Sequence, residues 1–325
     1  MMDNFTDKIA VVTGAGSGIG RELVSQLIAA GAHVAACDVS QHGLAETVAA
    51  AAPATGQRLT THRCDVAVEL EVERFRDEVL EAHNTEHVNL LVNNAGIGGG
   101  GEFVTGERDE WERTFGVCWY GVYYGCRAFM SALVASDGAH LVNVSSVNGF
   151  WATIGEGVPH TAYSAAKFAV KGFSEALITD LKVHAPHVKV SVVMPGHIGT
   201  SIGFNTPKVL RGDNAGAAAQ VQSMRKRLLG AGFPAADVSD EQLLKLAAER
   251  AAAFRDSAPT TAAQAAGIIL DGVRAQRWRI LVGADAEYLD KLVRAAPEHA
   301  YESSFIDDMR AAGHFTALMP GKDKR

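Results

Sequence analysis

Cysteine is scarce in this chain: Cys37, Cys64, Cys118 and Cys126 are the only four in 325 residues, and no two form a CxxC pair. That excludes a disulfide-stapled secreted scaffold and a cysteine-based zinc site, and it fits a reducing cytoplasm. Long apolar runs are also missing. No stretch reaches the ~18 uninterrupted apolar residues of a membrane span, and residues 1–6 carry acidic Asp3 where an export signal would be apolar. Positive charge is in deficit, with 30 Lys and Arg against 37 Asp and Glu, a net charge of -7. Such a chain has no field to gather a phosphate backbone. The expectation is therefore a cytoplasmic protein with neither membrane nor nucleic acid as a partner. No metal is expected either: His83 and His87 lie four apart, but where a helix gives way to a loop and without a third ligand.

What is present is a rhythm. Short β-branched runs at 9–13, 33–37, 59–64, 88–92, 140–144, 188–193 and 279–282 alternate with longer helical stretches. Several runs are apolar on consecutive positions, as strands covered on both faces must be. The fold class read from this is α/β, a Rossmann-type doubly wound parallel sheet, with one domain spanning residues 1–325. A helical insertion at 201–259 precedes the last strand, and 284–325 forms a C-terminal extension. Within the insertion, Ser239 to Gln242 reads as a capping box opening a helix that runs to about Arg255.

The first strand runs into Thr13-Gly14-Ala15-Gly16-Ser17-Gly18-Ile19-Gly20 and then a helical pattern. Glycines between a strand and a helix let the backbone approach a pyrophosphate, whose charge is met by free N–H groups at the helix start. Asp38 follows the second strand, where a carboxylate accepts from an adenosine ribose diol and repels a 2′-phosphate. No Arg or Lys adjoins it in sequence. This predicts NAD as cofactor, with NADP disfavoured, although an Asp after a strand also serves as a helix N-cap.

Tyr163 and Lys167 lie four apart in a segment of good helical propensity, so both project from one face. A phenol titrates near 10, and an ammonium held beside it favours the phenolate, which suits Tyr163 to exchange a proton with a substrate oxygen. Ser146 ends the fifth strand, at the sheet edge where open α/β folds bind ligands.

Taken together, the TGxxxGxG turn, Asp38, Asp65, Asn93-Asn94-Ala95-Gly96, Ser146, Tyr163, Lys167 and Pro195-Gly196 with Thr200 resemble the short-chain dehydrogenase/reductase family over residues 7 to about 200. The resemblance implies cofactor contacts from Gly14, Ser17, Gly18, Ile19 and Gly20, and from Asp65 and the Val66 amide at the adenine. It further implies that Asn93, Ala95 and Gly96 line the adenosine side, and that Pro195, Gly196, Ile198 and Thr200 hold the carboxamide. Lys167 would bind the nicotinamide ribose while tuning Tyr163, and Ser146 would orient the substrate oxygen. The implied activity is hydride transfer between the nicotinamide and a secondary alcohol or ketone.

Two departures from the family pattern stand out. Its V-N-x-x-G pattern is met by Val117 to Gly121 with Cys118 at the Asn position. Because the family Asn acts through a backbone carbonyl that holds a water, the proton relay is expected to persist. The segment between Ser146 and Tyr163 is also long, so 150–159 is expected to bulge over the pocket with Phe150, Trp151 and Ile154. The insertion, with Phe204, Val209, Leu210, Val221, Met224, Leu228, Leu229 and Phe233, reads as a lid for a bulky apolar or aromatic small molecule. Apolar positions at Tyr120, Val122, Tyr123, Phe129, Met130 and Leu133 add the expectation of a homodimer or homotetramer. An alternative function is an NAD-binding sensor or scaffold with weak turnover. Sugar-nucleotide epimerases and dehydratases share the Tyr and Lys but use a TGxxGxxG turn, which is absent here.

Overall fold

Along each strand, alternate side chains face opposite layers of helices, and both layers are apolar. Val11, Ala35, Leu91 and Leu141 enter one buried cluster with Val72, Phe75 and Val79, whereas Val12, Val34, Val92 and Val142 enter another with Leu23, Leu27 and Ile269. Period-two alternation between two covered faces requires near-continuous apolar strands, as the sequence has. The computed structural model describes residues 4–155, 158–211, 221–222, 224–226, 228–229 and 235–315.

The chain runs β1 (Ile9–Thr13), α1 (Gly18–Ala29), β2 (His33–Asp38), α2 (Gln41–Ala51), β3 (Leu59–Arg63), α3 (Glu69–His83) and β4 (Leu90–Asn93). A π turn (Gly116–Tyr120) joins α4 (Arg108–Phe115) to α5 (Gly121–Val134), and β5 (Ala139–Val144), α6 (Thr161–His184) and β6 (Val188–Pro195) follow. After β7 (Ile198–Gly199) come α7 (Ile202–Arg211), α8 (Asp240–Asp256), β8 (Thr260–Thr261), α9 (Ala262–Arg274) and β9 (Arg279–Val282). The extension holds α10 (Ala284–Ala295) and α11 (Ser303–Ala311).

The seven-stranded sheet has the order β3-β2-β1-β4-β5-β6-β9 with every pairing parallel, and β7 pairs with β8 in a small second sheet. Successive strands leave β1 in one direction and β4 in the other. A crevice therefore opens at the carboxyl edge between them, the place where such sheets bind ligands.

The capping box expected at Ser239 and Gln242 is complete on both sides, and a second one, Thr261 with Gln264, opens α9. The extension is more structured than its sequence suggested. Phe305, Ile306 and Met309 of α11 close over Val147, Trp151 and Leu289 in a third buried cluster. The Trp151 indole N–H donates to the Ala300 carbonyl at 2.6 Å. Residues 321–325, polar enough to be expected to fray, lie outside the described residues. Among the described residues no helix is long and apolar enough to cross a membrane.

Candidate active site and dinucleotide cleft

The glycine turn is built by close approach. Gly14 adopts φ +64°, and a Cβ there would stand 2.6 Å from the Ala95 Cα. At Gly16 a Cβ would meet the Asp38 carboxyl carbon at 2.8 Å, so only glycine lets its N–H donate to Asp38 Oδ2 at 2.9 Å. Ser17 is the N-cap of α1 but spends no side-chain bond on the helix, and the first turn carries no acidic residue. The positive helix end thus stays open to an anion over Gly18, Ile19 and Gly20. The Thr13 hydroxyl accepts from the Asn94 and Ala95 amides at 3.0 and 3.1 Å and so draws the strand 4 edge, with Gly96, against this turn.

Asp38 also accepts from the Ser40 amide at 2.9 Å, and burial raises its carboxyl above the ordinary value despite these bonds. The sequence placed no base beside Asp38; the structure corrects this. Arg21 reaches across from α1, but its guanidinium is committed to Glu46 at 2.6 Å and to the Gly16 and Gly43 carbonyls. The Asp65 carboxylate is held from α4: Arg113 approaches Oδ1 at 3.0 Å and Oδ2 at 2.7 Å, and the Ala67 amide adds a bond to Oδ1. Val66 is buried beside it against Gly121. Asn93 departs from the expected lining role. Its side chain is buried between sheet and helix and donates to Asn143 Oδ1 at 2.9 Å, so only its backbone is left for the cleft.

The three residues expected at the reacting centre do converge. Ser146 leaves β5 in extended conformation and its Oγ accepts from the Asn148 amide at 3.1 Å. That leaves the hydroxyl proton to be given elsewhere, and the Ser146 hydroxyl, on the same cavity wall as Tyr163, acts to hold the phenol down. Lys167, one helical turn on, is buried and donates to the Val144 carbonyl at 2.9 Å. Its Nζ lies 5.4 Å from the Tyr163 ring centroid. Here the electrostatics correct the sequence reading. Burial raises the Tyr163 phenol, the Cys118 thiol adds to the rise, and the Ser146 hydroxyl opposes it, while burial lowers Lys167. Desolvation of the phenol sets the sign of its shift, and the ammonium beside the ring is itself short of solvent.

Cys118 sits within the π turn, buried, its thiol donating to the Ile97 carbonyl at 3.2 Å. Burial raises this thiol while nearby Lys167 and the Ile97 bond oppose the rise. Such single π turns recur at functional sites because they shift carbonyls out of the regular ladder.

Pro195 ends β6 and the next residues fold across the cleft. Asp285, on the first turn of α10, accepts from the His197 amide at 2.6 Å and from the Ala286 amide at 2.9 Å. A Cβ at Gly196 would collide with this carboxylate at 2.4 Å. Ile198 is buried and pairs with Thr260 across the small sheet, and Thr200 packs its methyl against Gly18. The carboxamide segment and the phosphate turn thus touch. Asn205 of α7 adds a bond to Ser17 Oγ at 3.0 Å, and Thr206 accepts from the Gly98 amide at 2.9 Å.

Next to Ser146 and Tyr163 opens a cavity of about 530 Å³. Leu210, Met224 and Leu228 of the insertion line it, as do Trp151 and Ile154 of the long loop. Phe150 turns away to the Arg279 guanidinium, Phe204 lies under Arg255, and Leu229 is exposed. Phe233 lies outside the described residues. Sequence reasoning missed three wall groups. His160 stacks 4.8 Å from the Tyr163 ring, Phe315 arrives from the extension, and Arg250 comes from α8. It missed Asp285 as well, for which Gly283 before a helical pattern signals a helix start but no chemistry. On α5, Val122, Phe129 and Leu133 are buried inside the protomer, leaving Tyr120, Tyr123 and Met130 nearer the surface.

Comparison with known proteins agrees with this architecture. Residues 8–208 match the family described as short chain dehydrogenase. SadH of Mycobacterium tuberculosis, which carries the name of an oxidoreductase, is 36% identical over 293 residues, covering 90% of this chain and 92% of that protein. A short chain dehydrogenase/reductase from Burkholderia phymatum, solved with NAD, superposes with a TM-score of 0.71 at 29% identity, covering 91% of this chain and 95% of that one. A metagenomic short-chain oxidoreductase solved with NADP gives a TM-score of 0.52 at 32% identity over 59% of this chain and 83% of that one. With the glycine turn, Ser146, Tyr163 and Lys167 assembled at one sheet edge, the chain belongs to the short-chain dehydrogenase/reductase family of oxidoreductases.

Proposed function

We propose that this protein is an NAD-dependent dehydrogenase or ketoreductase of secondary alcohols and ketones, acting on a bulky, largely apolar small molecule. The observation that carries the reading is the juncture of Ser146 and Tyr163 with a cavity of about 530 Å³ walled by Trp151, Ile154, Leu210, Met224 and Leu228. That volume falls within the range of pockets that enclose drug-sized ligands.

The cleft suits a nicotinamide dinucleotide: a glycine cradle that side chains would fill, an uncapped helix start, and a carboxylate at Asp38. A dinucleotide held there by the Gly14 to Gly20 turn and Asp38 would supply the acceptor for the hydride of the carbinol carbon. As the phenolate Tyr163 would take the hydroxyl proton while the C–O bond becomes a carbonyl, and as the phenol that burial favours it would give that proton to the carbonyl oxygen in the reductive direction. Ser146, whose Oγ already accepts from Asn148, donates its proton to the substrate oxygen and holds it at the phenol. Two of the three Lys167 N–H groups remain for the ribose and for the relay beyond Val144. Asp38 supports NAD over NADP because its charge repels a 2′-phosphate and the neighbouring Arg21 is neutralised by Glu46.

In this reading, residues 1–325 act as one catalytic unit in the cytoplasm, 201–259 forms its lid, and 284–325 is an extension that seals the cavity. A homodimer or homotetramer is proposed across α5 and α6, where Tyr120 and Phe168 are exposed. Light scattering at micromolar concentration reads the assembly.

The decisive experiment is NADH formation across a panel of aromatic, terpenoid and steroid alcohols, repeated with Tyr163→Phe. Loss of the phenol lowers kcat by about 10²–10⁴ while the affinity for NAD, read by calorimetry, stays within roughly twofold (about 0.4 kcal/mol). Turnover confined to short polyols removes the substrate class. Unchanged turnover in Tyr163→Phe removes the mechanism.

A further inference from the structure

Among the described residues the cavity wall carries one charged group without a protein partner, Arg250, at the solvent-exposed part of the wall. Arg250 lines the cavity from α8, yet it makes neither a salt bridge nor a hydrogen bond among the described residues. Its neighbours are all committed. Arg225 binds the carbonyls of Ala235 and Val238 and the Asp240 carboxylate, Arg255 pairs with Asp256, and Lys245 pairs with Glu249. Glu110, the other charged residue on the described wall, is already engaged.

The position of Arg250 is set by the helix that carries it. The Phe254 ring lies tilted against the His197 ring with centroids 4.5 Å apart, and the His197 imidazole bonds the Phe254 carbonyl at 2.6 Å. Arg250 lies four residues earlier on the same face, about one turn or 6 Å further along the wall. Ala251 keeps the wall between them small and apolar, and Ala247 lines it on the other side of Arg250. A ligand whose carbinol sits at Tyr163 and whose body follows this wall meets a guanidinium beyond its apolar stretch.

We propose that Arg250 anchors the far end of the substrate and that this end carries a carboxylate. One guanidinium offers a planar pair of N–H donors and a single positive charge, which matches the geometry and the charge of a carboxylate. The substrate class is then a secondary alcohol or ketone with an apolar body and a terminal carboxylate. This rests on the hydride-transfer reading for the reacting end, but the anchor can be tested apart from it.

The full-length protein is titrated calorimetrically with decanoate and with decanol, with and without NADH, as wild type, Arg250→Gln and Arg250→Lys. The expected result is a loss of about tenfold or more in decanoate affinity in Arg250→Gln, equal to about 1.4 kcal/mol, with decanol unchanged. Arg250→Lys keeps part of the affinity, and added salt weakens decanoate alone. If Arg250→Gln leaves decanoate binding unchanged, or weakens both probes equally, the anchor is overturned. A parallel assay of 9-hydroxydecanoate against 2-decanol reads turnover. Absence of NADH from every alcohol removes the dehydrogenase reading and leaves the binding result to decide the anchor.

Discussion

The Asp285 carboxylate accepts the His197 amide proton at 2.6 Å, joining the start of α10 to a segment 88 residues earlier in the chain. Through this bond the C-terminal region fixes residues 195–200, which in the proposed function hold the nicotinamide end of the cofactor. The cost of burying Asp285, seen in its raised carboxyl, is offset by two amide donors and the positive start of the helix.

Replacing Asp285 with Ala strands the His197 amide and removes a charge-assisted bond. The loss of stability is about 1–3 kcal/mol, read from urea unfolding. The KM for dinucleotide rises in the same variant while the pH dependence of kcat stays in place. A kinetic parameter set identical to wild type would show that residues 195–200 hold their shape unaided.

The proposed preference for NAD rests on the charge of Asp38. In Asp38→Ser the repulsion of a 2′-phosphate disappears and Arg21, shared with Glu46, becomes the nearest cation. The ratio of kcat/KM for NADP to that for NAD rises by about 30-fold, the equivalent of about 2 kcal/mol. A ratio that does not move places cofactor choice elsewhere.

On the proposed mechanism Cys118 would contribute through the backbone of its π turn. Its thiol spends its proton on the Ile97 carbonyl and lies off the cavity wall. Cys118→Ala therefore changes the barrier by less than about 1 kcal/mol, roughly fivefold in kcat, in single-turnover measurements. A hundredfold loss would assign the side chain a direct part in the proton relay.

Stability falls on the acid side of neutrality. Burial pushes His83, His140 and His160 down to about 4. Between the ordinary histidine value near 6.5 and about 4, the unfolded chain binds protons that the folded chain refuses. The histidine contribution is therefore complete above about pH 6.5 and is lost as pH falls toward 4. Asp38 and Asp285, whose carboxyls are raised, act in the opposite sense at the low end of that window. His140 is fully used as the neutral ring: it bonds Ser191 at 2.6 Å, and Ser191 passes its own proton to the Arg277 carbonyl. From His140 alone the loss between pH 7 and pH 4 is on the order of 3 kcal/mol. Urea midpoints measured from pH 7 to pH 5 decline in wild type and decline less in His140→Gln.

The sequence by itself determined the sheet and the reacting centre. Strand positions follow from period-two burial on both faces, a local property, and so the runs at 9–13 and 279–282 are strands with those same limits. Ser146, Tyr163 and Lys167 were legible because their chemistry depends on residue type at a strand end and on one helix face, both fixed within a few residues of sequence. Only the tertiary structure decided what surrounds them. Arg21 beside Asp38, Arg113 on Asp65, Asp285 under His197 and Arg250 on the cavity wall meet their sites across 17 (21 to 38) to 88 (197 to 285) residues or across separate helices. The sign of the Tyr163 shift belongs here too. A phenol and an ammonium four residues apart suggest a lowered value, but how much solvent each loses is set by every element packed around them, and in this fold desolvation prevails.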